Sequence, residues 1–283
     1  VSDNPYLIQG PALISFSGGR TSAYMLKHIL DAHGGTLPKD VHVVFANTGR
    51  EMPETLDFVQ ECADRWNVRI VWLEYDPDAE HKTAIVSHNS ASRNGEPFAA
   101  LIRAKGYLPN PLTRFCSIEM KIRRCKEYMH RMLGYETWTT ALGLRADEMR
   151  RVNKIGNARE RWTNIAPLAT AGVTKRNVVA WWAVQPFDLR LPNVNGNTAM
   201  GNCELCMLKP EATLRGIIHQ RPDLAEWWVR MEAEAETMTA NPDGARFRID
   251  RPSYAEMLSD ASRQGDLIDF LTDGGSVDCR CTD

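Results

Sequence analysis

The chain has 283 residues, of which 43% are hydrophobic and 25% charged, with a formal net charge of -2. That is enough apolar material for a sizeable core, organised as one α/β domain with a smaller appended region. The near-neutral balance excludes an indiscriminate polyanion binder and leaves local basic patches as the route to such partners.

In chain order, Ala12 to Phe16 reads as a buried strand and Thr21 to Ala32 as a helix with Tyr24, Met25, Leu26, Ile29 and Leu30 on its apolar face. Between them lies Ser17-Gly18-Gly19-Arg20-Thr21-Ser22. Gly18 and Gly19 let the backbone turn tightly and meet a ligand without a Cβ in the way. The amides opening the next helix point at an anion, and Ser17, Thr21 and Ser22 add hydroxyls. The pattern is neither G-x-x-x-x-G-K-[ST] nor G-x-G-x-x-G. A second apolar run, Val41 to Ala46, ends at Asn47-Thr48-Gly49 before a helix from Pro53 to about Trp66, and Val68 to Leu73 reads as a third strand. This β-α-β-α-β order predicts a doubly wound parallel sheet that binds ligands beyond the carboxyl ends of its strands.

From Asp76 to Asn110 the apolar period breaks up, which predicts a mobile lid or substrate loop in which His81, Lys82 and His88 are available, although a lone loop histidine is more often solvated than a ligand. In Thr113-Arg114-Phe115-Cys116, a thiol at a helix start beside arginine is biased toward thiolate, whereas Cys62 and Cys125 sit on helical patterns that favour burial. Glu136 to Leu142 reads as the next strand, followed by Gly143 and Arg145. Arg145, with Arg150, Arg151, Lys154, Arg159 and Arg161 behind it, reads as the rim of an anion site. The tryptophan helix around Asn177 to Gln185 reads as packing. Cys203-Glu204-Leu205-Cys206 and the tail cysteines Cys279 and Cys281 follow, among amphipathic patterns at 209–219, 223–235 and 254–262 that read as a helical cap or oligomer surface. No run approaches the ~18 apolar residues of a membrane span. Val1-Ser2-Asp3-Asn4-Pro5 does not read as a signal peptide, so a cytoplasmic location is expected, with the seven cysteines as thiols or metal ligands.

The glycine stretch resembles the S-G-G-x-x-S signature of the PP-loop ATP pyrophosphatase superfamily, the adenine nucleotide alpha hydrolases, and within it the phosphoadenylyl-sulfate (PAPS) reductase-like branch. Arg20 and Thr21 stand where that family usually has lysine and aspartate. Asn47-Thr48-Gly49-Arg50-Glu51-Met52-Pro53-Glu54-Thr55 is similar to its N-T-G-x-E-x-P-E-T element. Residues 114–122 are similar to R-x-C-T-x-x-x-K-I, and residues 143–151 to G-x-R-x-x-E-x-x-R. The resemblance spans most of residues 12 to 210.

It implies a nucleotide-binding α/β domain over residues 1–200 and a cysteine-containing helical region over 201–283. The implied ligands of ATP or a related adenine nucleotide are Ser15, Ser17, Gly18, Gly19, Arg20, Thr21, Ser22, Asn47, Thr48, Gly49, Gly143 and Arg145. Ser17 and Arg145 would serve in catalysis at the α-phosphate, with magnesium bridging phosphate oxygens. Cys116, Cys203 and Cys206 resemble the cluster ligands of iron-sulfur members, which implies a four-iron cluster, or zinc as the alternative, with Cys279 or Cys281 as a candidate fourth ligand. The implied activity is α-phosphate chemistry linked to sulfur transfer, with a nucleic acid or a sulfur carrier among candidate partners. The rivals are a PAPS or adenylyl-sulfate reductase, whose E-C-G-x-H motif this sequence lacks, and a non-catalytic binding module with a structural metal.

Overall fold

The apolar runs read as strands pair side by side. In the structure, a computed structural model that describes residues 4–155, 160–238 and 245–262, β1 (Ala12–Ser15), β2 (Val41–Ala46) and β3 (Ile70–Tyr75) alternate with α1 (Arg20–Ala32) and α2 (Pro53–Arg65). Next come β4 (Thr83–Val86), α3 (Glu96–Lys105) and a helical run over 115–132, labelled α4. β5 (Trp138–Ala141), β6 (Trp162–Ile165) and α5 (Lys175–Trp182) complete this part. The sheet order is β4-β3-β2-β1-β5-β6, parallel throughout except for β3 with β4.

This is the expected α/β sheet, and its order explains where a site belongs. The chain leaves β1 on one side to build β2 and β3, then returns to the other side for β5. The crevice above β1 and β5 is therefore a topological switch point, where open α/β sheets take their ligands. Continuous apolar runs make these strands because helices cover both sheet faces. All six residues of β3 are buried, and Ala23, Met25, Leu26 and Ile29 of α1 are fully enclosed.

Residues 76–110 depart from the expected lid. β4 pairs antiparallel with β3 from Tyr75↔Thr83 to Trp72↔Val86, and α3 buries Phe98, Leu101 and Ile102. The helical period there was obscured because Gly95, at φ 81°, starts the helix in a left-handed conformation that sequence pattern reads as loop. The backbone carbonyls of His81 and Lys82 accept from the buried Arg124 of α4, which ties the start of β4 to that helical run.

Further helices follow, α6 (Glu211–Gln220), α7 (Ala225–Met238) and α8 (Tyr254–Ala261). Their buried Leu214, Ile217, Trp228, Met231 and Met257 belong to the same apolar cluster as Ile14, Phe45 and Leu56 of the sheet layer. No described helix is long and apolar enough to cross a membrane. Arg159, Cys279 and Cys281 lie outside the described residues.

Candidate functional site

At the switch point a cavity of about 570 Å³ opens, within the size range of small-molecule sites. Ser15, Ser17, Gly18, Gly19, Arg20, Thr21, Ser22, Gly143 and Arg145 all line it, so these sequence-derived candidates converge. Within the loop the residues divide the work. Gly18 has φ +75°, and a Cβ there would meet Thr55 Cγ2 at 2.7 Å, so this glycine is demanded by packing on α2. Gly19 is the N-cap of α1 in an extended conformation, and a Cβ on it would meet only Ser17 Oγ, at 3.9 Å. That side of the loop is open toward the cavity. Ser22 Oγ accepts from Ser17 N (3.2 Å) and Ser17 Oγ (3.1 Å) and donates to Gly19 O (2.9 Å), bracing the turn rather than reaching outward.

Arg20 corrects the expectation that its side chain holds the nucleotide. Its Nε and Nη2 donate to the two carboxylate oxygens of Asp188 at 2.7 Å each, Nη1 donates to Thr198 Oγ1 at 2.8 Å, and Nη2 also serves the carbonyls of Leu189 and Leu191. A planar guanidinium saturated in this way is a clamp. It fastens residues 188–198 over the cavity, and Trp182 Nε1 donates to Arg20 O from the other side.

The cavity wall carries Lys121, Lys126, Arg145, Arg151 and Lys175 against Glu148 and Glu160 among the described residues, a surplus of positive charge suited to an anion, while the charge of Arg20 is matched by Asp188. Arg145 Nε donates to Asp147 at 2.9 Å, and its Nη1 lies 3.2 Å from Glu148 and 3.4 Å from Thr21 Oγ1. These carboxylates fix the guanidinium on the rim. Glu148 also pairs with Arg151.

Asn47, Thr48 and Gly49 are not on this cavity, contrary to the reading that they touch nucleotide. Asn47 is fully buried and donates to Glu74 Oε1 and Ser92 O, while its Oδ1 accepts from Gly49 N. Gly49 has φ +77° and packs against Gly95. The stretch is an internal brace between β2 and the chain after β4.

Thr48 leads instead to a second cavity of about 20 Å³, lined by Cys116, Cys203, Cys206, Lys121 and Trp228 among others. The three cysteines singled out in the sequence thus share one cavity. Glu51 Oε2 accepts from Thr48 N and Oγ1 at 2.9 and 2.8 Å, and Thr48 Oγ1 lies 3.3 Å from Cys203 Sγ. Lys209 Nζ donates to the carbonyls of Gly201, Cys203 and Glu204, so the Cys-x-x-Cys turn is held by a buried cation. Three sulfurs suit a soft metal. The volume, however, holds about one water-sized group, too little for a four-iron cluster in this arrangement. Among the described residues no set of three or more His, Cys, Asp or Glu side chains is placed to hold a metal ion. Cys62 and Cys125 stay outside this set, and burial pushes the Cys125 thiol up to about 12.

Sequence reasoning missed the roof, and it marked Lys121 only as the lysine of the R-x-C-T-x-x-x-K-I likeness, with no place in a site. Lys121 lines both cavities and lies 3.8 Å from Glu51. It sits in the π-helical turn Ile118–Ile122, a local widening that no residue pattern announces. Asn193, Asn197, Thr198 and Asn202 form the roof, with Lys175 Nζ donating to Asn197 Oδ1 at 2.8 Å. The Asn-Gly-Asn turn at 195–197 was the available signal.

The sequence pattern of the phosphoadenosine phosphosulfate reductase domain matches residues 11–182. An uncharacterized nin region protein of Escherichia phage lambda is 33% identical over 204 residues, covering 70% of this chain and 66% of that protein. An uncharacterized protein of Methanocaldococcus jannaschii is 38% identical over 66 residues, 23% of this chain and 13% of its own length. The chain therefore spans less than two thirds of either relative. A crystal structure of PAPS reductase from Candida auris in a phosphate complex is 18% identical with a TM-score of 0.40, covering 65% of this chain and 79% of that one.

Proposed function

This chain belongs to the phosphoadenosine phosphosulfate reductase domain family, and from that premise we propose that it binds ATP or a related adenine nucleotide and acts at the α-phosphate, in chemistry linked to sulfur transfer. The observation that carries the reading is the open side of Gly19 on a cavity with a cationic wall. Amides of the glycine loop, at the start of a 13-residue helix, receive phosphate oxygens. Ser17 lines the same loop, and Arg145, pre-set by Asp147 and Glu148, faces charge that develops as the leaving pyrophosphate separates. An acceptor oxygen forms the new bond to phosphorus as the bond to pyrophosphate breaks. Of the described carboxylates lining the cavity, Glu148 is committed to two arginines; magnesium, when bound with the nucleotide, would supply neutralisation of phosphate charge.

Pyrophosphate release from ATP in the presence of candidate acceptors tests the activity. Sulfite release from PAPS or adenylyl-sulfate with a thiol reductant, and none from ATP chemistry, would favour the reductase reading instead. Binding without either release would leave a nucleotide-binding module. Arg145→Ala is expected to weaken a triphosphate more than adenosine. A hydrogen bond to a charged group contributes ~1.5 to 3 kcal/mol, roughly a tenfold to hundredfold loss by calorimetric titration. Equal losses for both ligands would make Arg145 structural.

A metal or iron-sulfur centre at Cys116, Cys203 and Cys206 is the finer part of the proposal. Its support is the donor set, three thiols on one cavity, and the cavity's size stands against a four-iron cluster. No step above passes through it. When bound, such a centre would hold or activate sulfur. Single replacement of Cys116, Cys203 or Cys206 by serine is expected to lower the metal content of the anaerobically purified chain, with Cys62→Ser and Cys125→Ser without effect. Unchanged metal in the first three variants would leave them as thiols.

A further inference from the structure

Below the glycine loop, Trp138 and Trp162 stand opposite one another on the adjacent parallel strands β5 and β6. Their rings stack, with centroids 5.3 Å apart and planes at 18°, and both line the large cavity. Each indole N–H is satisfied within its own strand: Trp138 Nε1 donates to Thr140 Oγ1 and Trp162 Nε1 to Asn164 Oδ1, both at 3.1 Å. What the pair has left for a ligand is its π surface. Trp138 is buried, but Trp162, on the edge strand, is only half-buried.

Successive residues on one face of a strand lie two positions apart. Climbing this face from strand start to strand end, the cavity wall changes from indole rings to the polar Thr140 and Asn164, and then to Leu142 beside the glycine loop and Gly143. Roughly 10 Å of strand separates Trp138 from the end of β5, a stretch that a sugar and its first phosphate span. An aromatic floor, a polar middle and an amide-lined top match the order of a base, a sugar and a phosphate.

We propose that Trp138 and Trp162 form a stacking subsite for a planar heteroaromatic base joined to an anionic group held at the glycine loop. The proposal rests on the phosphate-binding reading of that loop. Both rings lie in the segment that matches the family pattern, yet neither was marked by any motif, because a tryptophan at a strand start reads as core. The base comes from the nucleotide itself or from an acceptor that bears one.

The test is to titrate adenosine, inorganic tripolyphosphate and a non-hydrolysable ATP analogue into wild type, Trp162→Leu and Trp162→Phe, each first shown to be folded by its thermal transition. Stacking on an aromatic side chain predicts that Trp162→Leu weakens adenosine and the analogue roughly tenfold or more. Trp162→Phe should restore most of that, and tripolyphosphate should bind all three alike. Displacement of adenosine by saturating analogue would identify the nucleotide's own base as the occupant. Adenosine bound alongside the analogue, and still sensitive to Trp162→Leu, would identify an acceptor base. Unchanged binding of adenosine and analogue to folded Trp162→Leu overturns the subsite. Failure of wild type to bind tripolyphosphate overturns the phosphate reading on which it rests.

Discussion

Replacing Gly19 by valine is expected to abolish adenine-nucleotide binding in a protein that still folds. The two adjacent glycines make the experiment its own control, because they are glycine for different reasons. A Cβ at Gly19 meets nothing but the Ser17 hydroxyl at 3.9 Å, and its backbone is extended at φ -105°, so valine has room and no strain in the empty chain. The branched side chain then occupies the space through which phosphate oxygens reach the helix amides. Gly18 is the reverse. At φ +75°, with Thr55 Cγ2 2.7 Å and Phe45 Cε2 3.1 Å from where a Cβ would stand, valine there collides with the core and forces a left-handed conformation that a branched residue resists. Calorimetric titration with an ATP analogue should read no binding for Gly19→Val beside a near-native thermal midpoint, and a lowered midpoint for Gly18→Val. Wild-type affinity in folded Gly19→Val would reduce the loop to an ordinary turn.

How far the residues alone led depends on how local each signal is. The strand and helix order around the glycine loop was legible because each element carries its own period: Val41 to Ala46 is an unbroken apolar run, and α1 repeats Tyr24, Met25, Leu26, Ile29 and Leu30 on one side. The three cysteines were singled out from motif resemblance, and they share one cavity. What stayed hidden is set by distant partners. Arg20 looks like a phosphate ligand until Asp188, 168 residues away, is seen to take its guanidinium. Asn47-Thr48-Gly49 has the composition of a ligand loop, yet Glu74 and Ser92 take the Asn47 amide inward. Trp138 and Trp162 become a pair only through the register of β5 with β6. Composition reports which groups a segment offers, and only the fold decides whether protein or ligand accepts them.

Glu204→Ala is expected to destabilise the fold by about 3–5 kcal/mol, the cost of leaving one partner of a buried ion pair alone. Glu204 and Arg50 pair with side-chain exposures of 2% and 10%. Trp228 Nε1 donates to Glu204 Oε1 at 3.2 Å, and the Arg50 guanidinium sits 5.1 Å from the centre of the Trp227 ring. The same two segments are joined through the backbone, with Glu204 N donating to Arg50 O at 3.0 Å and a bridge between Glu51 and Cys203. This contact is what brings the Cys-x-x-Cys turn against Thr48, so it links the stability of the helical region to the position of Cys203. Removing the carboxylate leaves the guanidinium buried beside the Trp227 ring of α7, with Leu224 O at 3.5 Å as a weak remaining acceptor. Removing both charges is a different case, since a well-packed apolar pair can match a buried ion pair. Glu204→Leu with Arg50→Met is therefore expected to recover most of what Glu204→Ala loses. Urea unfolding with unchanged slope should show the single variant's midpoint falling and the double variant's returning. A single-variant loss below about 1 kcal/mol, the range of exposed pairs, would mean that water reaches Arg50 and that the Cys203 segment is anchored by its backbone bonds and Lys209 instead.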